Sequence, residues 1–165
     1  MPKRYKGEEI MEGKKQYRGK HIHVLQENGH LDGTWVIGFL EAENYIAESN
    51  ENGLVVEKLV DRDTVGLCSG KKDKSGKDIF QGDILENTAG LRFEVRYGEF
   101  VMYCPVDDCM MENVGFYTVA EGYYEDMPLG PTEEYATIIG NIHDNPDLKV
   151  DEKFRCLAET GKYED

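Results

Sequence analysis

Three groups of residues in this chain have the types and spacing that could do chemistry. The first is residues 70–78, GKKDKSGKD, superficially a phosphate-binding loop. Such a loop needs four residues between its glycines, a Ser or Thr after the Lys for magnesium, and a following helix whose amides face the phosphates. Here five residues separate Gly70 from Gly76, Asp78 stands in the hydroxyl position, and residues 79–83, IFQGD, read as a strand. A solvated turn is the expectation. The second group is Cys104 and Cys109, with the four-residue gap some zinc sites use, and His21 or His23 to complete the set. A structural site usually needs two close ligand pairs, yet Cys68 and Cys156 stand singly, so ordinary thiols are expected, with no metal, no cofactor and, in a reducing compartment, no Cys104–Cys109 disulfide. The third is a nucleophile. No Gly-x-Ser-x-Gly elbow occurs, and four Cys with four His single out no catalytic pair. No catalytic residue is assigned.

Aromatic residues suggest a different role. Tyr97, Phe100, Tyr103, Phe116, Tyr117, Tyr123 and Tyr124 crowd one region beside acidic stretches. Many must pack in a core, but tyrosines at a loop edge also suit protein interfaces, where a rigid apolar ring carries a polar tip. Tyr123 and Tyr124 are the expected interaction pair.

The elements that must position these groups are strands. Ten Tyr, six Phe and one Trp in 165 residues supply a real core, although 32% of the chain is charged. Residues 1–16 are polar, without period, and are read as a flexible N-terminus. Residues 17–60 read as a β-rich region, with turns at Asn28-Gly29 and Asn52-Gly53 that accept positive φ. Residues 61–148 read as a connecting turn and a small β-barrel. Within them Leu91, Phe93, Val95 and Tyr97 alternate with Arg92, Glu94 and Arg96 as a half-buried strand. Residues 100–104 and 116–119 read as short strands around an acidic loop at 105–115. Residues 149–165 form an acidic tail or a short helix over 152–160. The fold class is mostly β.

The net charge of −14 opposes tight sequence-independent nucleic-acid binding, which needs clustered Lys and Arg to neutralise phosphates. The charge is uneven: residues 1–20 carry net +4 and residues 121–165 net −8. No apolar run approaches the length of a membrane span, and no apolar stretch follows the basic start as in a signal peptide. A cytoplasmic location with free thiols follows as an expectation.

YRGK at 17–20, WVIGFL at 35–40, DRDTVGLCSGKKDKSGKDIFQGDIL at 61–85 and IIGNIHDNPDL at 138–148 together resemble the YopX family of phage and prophage proteins. The resemblance runs from about Tyr17 to Leu148. It implies a phage or prophage accessory protein of mainly β fold, with a small SH3-like barrel and self-association. It implies no catalytic or ligand residues. Cys68 and Lys71 depart from the family pattern, which has apolar or aromatic residues there.

The expected function is therefore a non-enzymatic protein-interaction module. Its partners would be a second copy and a host protein. Trp35 and Phe39 are placed near the self-contact because residues 35–40 are apolar toward both faces of one strand. An acidic decoy for a host nucleic-acid-binding protein and an enzyme of unidentified class are the alternatives.

Overall fold

The computed structural model describes residues 15–122 and 126–150. The expected helix over 152–160 lies outside them. The fold is mostly β, its strands arranged in antiparallel sheets. The chain forms two compact units, Met1–Cys68 and Ser69–Asp165.

In the first unit β1 (Gln16–Lys20), β2 (Trp35–Ala42), β3 (Tyr45–Ser49) and β4 (Val55–Leu59) run as a meander in the order β4-β3-β2-β1. β5 (Gly66–Lys72) begins beside β1, with Tyr17 opposite Leu67. Alternation sends Val36 and Ile46 inward onto Val60, and these three are at most 2% exposed. Burying each such side chain stabilises by about 1.5–3 kcal/mol. Gly38 is required by contact rather than by its dihedrals, because a Cβ there would run into the Ala47 carbonyl of the neighbouring strand.

Two local expectations change here. Within the region read as β-rich, regular pairing stops at Ile22: His21 donates its amide to Thr34 and Ile22 donates to Leu59. Past them Val24 and Leu25 meet no sheet and stay exposed. Asn28-Gly29 falls inside a 3-10 turn, Gln26–Leu31, and Gly33 supplies the positive φ that reverses the chain. Asn52-Gly53 behaves as expected: Gly53 has φ of 73°, and Asn50 Oδ1 accepts the amides of Asn52 and Leu54.

In the second unit β6 (Asp78–Phe80) and β7 (Asp83–Asn87) are followed by two long strands, β8 (Arg92–Cys104) and β9 (Cys109–Ala120). β10 (Met127–Pro128), a single helical turn α1 (Thr132–Tyr135) and β11 (Ala136–Asn141) complete the order β10-β9-β8-β7-β11. The core is Ile79, Leu85, Phe93, Val95, Leu129 and Ala136. This sheet is open, with β10 and β11 as its outer strands. Its ladder does not describe the closed SH3-like barrel expected for this half. The acidic loop expected at 105–115 shrinks to residues 105–108, because Cys109 to Gly115 pair residue by residue with Cys104 to Gly98.

Candidate functional site

The stretch 70–78 builds a clasp. Asp73, 2% exposed, aims its carboxylate into its own turn. Oδ1 accepts the Ser75 amide at 2.9 Å, the Ser75 hydroxyl at 2.7 Å and the Lys77 amide at 2.9 Å. Oδ2 accepts the Ile138 amide of β11 at 3.0 Å. Burial pushes this carboxyl upward, but the four hydrogen bonds outweigh it and hold Asp73 below the ordinary carboxylate range. Turn amides that could have cradled a phosphate already hold an anion, their own Asp73. Two of the four lysines are engaged too. Lys71 Nζ donates to the Leu129 and Gly130 carbonyls, and Lys72 pairs with Asp78 at 2.7 Å.

The other motif-bearing segments lock onto one another in the same way. Gly82, at φ 90°, donates its amide to Val95 and accepts the Ile142 amide, while buried Asp83 accepts the Phe80 amide at 2.8 Å. Asn141 Oδ1 accepts the amides of His143 and Asp144, and Asn141 donates to Asp144 Oδ2 at 3.0 Å. Side-chain caps of this kind satisfy backbone donors that a sharp corner leaves without a ladder partner. The corners 73–83 and 138–145 thus weld β6, β7 and β11.

In the first unit His21 is 8% exposed, with its ring 4.5 Å from that of His23 in an edge arrangement. Burial, then the neighbouring His23 and Lys58, lower the His21 pKa below its ordinary value. Among the described residues no three of His, Cys, Asp and Glu are grouped to hold a metal ion. Trp35 lies half-buried, with the Arg18 guanidinium 4.6 Å and the Lys20 ammonium 5.4 Å from its ring. Phe39 is buried at 6% exposure, so it keeps little surface for another chain. Tyr123 and Tyr124 lie outside the described residues.

What the sequence reading missed is the ribbon that β8 and β9 make on their own. Among the described residues no named strand pairs with β8 beyond Glu94 or with β9 before Tyr117. The ladder nevertheless continues from Arg96↔Tyr117 to Cys104↔Cys109. Side chains alternate between its faces. One face carries Tyr97, Val101, Tyr103, Met110 and Val114, from 39% to 72% exposed, with Glu99 and Glu112 between them. A cleft of about 400 Å³ lies at this level of the ribbon, lined by residues of both faces: Glu99, Phe100, Val101, Glu112, Asn113 and Val114. The other face holds Phe100, 7% exposed, stacked on Tyr117 with ring centres 5.0 Å apart. Gly98 stands directly opposite Gly115, and both have positive φ (149° and 156°). The signal was present in Met110-x-Glu112-x-Val114, a period-two pattern hidden by two methionines and an adjacent acidic turn.

No curated protein matches the chain. A family model does, that of the YopX protein, and it spans residues 14–148.

Proposed function

The chain belongs to the YopX family, and from that premise we propose that it is a phage- or prophage-encoded, cytoplasmic, non-enzymatic protein-interaction module that self-associates. The observation that carries this reading is the exposed apolar face of the β8–β9 ribbon, Val101, Tyr103, Met110 and Val114. A two-stranded ribbon alone is marginal in water, and its outer edges offer unsatisfied backbone groups to another strand. A second copy meets both needs at once, since its own ribbon brings the same apolar face and the same edges. Trp35, half-buried in the first unit, is a second candidate contact.

The test is the mass of the purified chain by light scattering at tens of micromolar. An oligomer that Val101→Ser with Val114→Ser dissociates, without loss of β signal, supports the reading. A monomer of 18.8 kDa refutes self-association. An acidic decoy remains the second reading, favoured by the −14 charge. It requires a basic host partner whose capture is lost at high salt, whereas apolar contacts resist salt.

A further inference from the structure

We propose that Cys104 and Cys109 form a dithiol site that reacts with low-molecular-weight disulfides and closes into a cross-strand disulfide at the ribbon tip. They are the last register pair of β8 and β9, joined by the four-residue turn 105–108. Residues directly opposite on antiparallel strands have Cα atoms about 4.5 or 5.5 Å apart, depending on the hydrogen-bonding phase. Either value falls within the roughly 4.4–6.8 Å span that a disulfide accepts. Opposed Cβ atoms stand about 4.5–5.5 Å apart, and a disulfide wants about 3.5–4.5 Å, so closing asks for an inward lean of about 1 Å. The turn can supply it: Val106 is 89% exposed, and Asp107 and Asp108 are exposed as well.

Both sulfurs are reduced and within reach of a small reagent, Cys109 exposed and Cys104 half-buried. The Cys104 thiol donates to Asp107 Oδ2 at 3.4 Å, so rotation about its Cα–Cβ bond is what turns it toward Cys109. Exchange then runs in two displacements. The Cys109 thiolate attacks the incoming disulfide, forms a mixed disulfide and releases one small thiolate. The Cys104 thiolate attacks the Cys109 sulfur, forms the cross-strand bond and releases the second. The protein gives two protons to solvent and two electrons to the reagent, which leaves as two thiols. The second displacement is intramolecular between register partners, so the mixed disulfide does not persist. Among the described residues Cys68 has no register-partner cysteine, and its exchange stops at the mixed stage. The closed bond ties the tip already braced by the Tyr103 hydroxyl on Asp108 Oδ1 (2.7 Å).

The full reduced chain is incubated with mixtures of oxidised and reduced glutathione, quenched with acid and mapped by peptide mass. The wild type should lose two of its four thiols, retain no glutathione at the tip and show 104 joined to 109 within one chain. This closure should need at least about tenfold less oxidised glutathione than adduct formation at Cys68. Cys104→Ser should instead hold a stable glutathione adduct on Cys109. Amide exchange over residues 101–112 should slow by about tenfold or more in the closed form. A persistent adduct on wild-type Cys109, a bond from either cysteine to Cys68, Cys156 or another chain, or unchanged tip exchange would each overturn the proposal.

Discussion

Removing the Asp73 carboxylate should unfold the second unit's corner at a calculable cost. Asp73→Ala takes away the acceptor of four hydrogen bonds, three from backbone amides and one from the Ser75 hydroxyl. The amides of Ser75 and Lys77 sit on exposed residues, where water replaces the carboxylate, so each loss costs about 0.5–1 kcal/mol. The Ile138 amide is half-buried within the β7–β11 ladder, and leaving it without an acceptor costs about 1–3 kcal/mol. The sum, about 3 kcal/mol, is a large part of the roughly 5–15 kcal/mol that holds an ordinary domain together. Urea unfolding followed by far-ultraviolet dichroism reads it directly. Asp73→Asn keeps one oxygen for Ser75 and Lys77 but turns an NH2 toward the Ile138 amide, so it should lose about half as much. The sign of the pH dependence is fixed as well. The folded pKa lies below the unfolded one, so this stabilisation is present above the ordinary carboxylate pKa and is lost as pH falls through the lowered value. A stability within about 0.5 kcal/mol of wild type for Asp73→Ala would refute the clasp.

Gly38→Ala should destabilise the first unit by about 2 kcal/mol or more, because the obstacle is the Ala47 backbone carbonyl rather than a movable side chain; thermal melting reads it. Glu94 is 4% exposed and receives Arg96 Nε at 3.0 Å, so Arg96→Met should cost about 3 kcal/mol by leaving a buried carboxylate without that guanidinium. His21 has a lowered pKa, so its contribution to stability is fully present above about 6.5 and declines as pH falls through the folded value. His21→Gln should flatten the stability profile across that window, and an unchanged profile would assign the dependence elsewhere.

Much of the fold was legible because its strongest signals are local. The strand from Phe93 to Tyr97, the positive-φ Gly53 and the turn at Gly76 each follow from local residue types, although the strict alternation fails: Glu94 is buried and Tyr97 exposed. The corner 73–83 was readable as a turn, but not as a clasp. The partner of Asp73 is Ile138, 65 residues away, and no spacing rule reaches that far. The same limit hid the ribbon. Residues 105–115 look like a loop by composition, since Asp107, Asp108 and Glu112 dominate them. Only register against β8 turns Met110 and Val114 into members of a face. Trp35 and Phe39 illustrate the reverse difficulty. A strand apolar toward both sides announces burial, but not whether its own chain or another provides the cover.

The opposed glycines Gly98 and Gly115 divide β8 and β9 into a half that shares a sheet and a half that pairs only with itself among the described residues. Beyond that division only Phe100, stacked on Tyr117, is buried, and from Val101 to the turn the faces obey a period of two. Lengthening or shortening each strand by two residues beyond Phe100 leaves every side chain on its own face and the turn still closing the end. The core residues Phe93, Val95 and Val119 lie on the near side and do not register such a change. The tip can therefore be exchanged as a cassette: its sequence is free to drift toward new surfaces while the welded corners at 73–83 and 138–145 keep the framework constant.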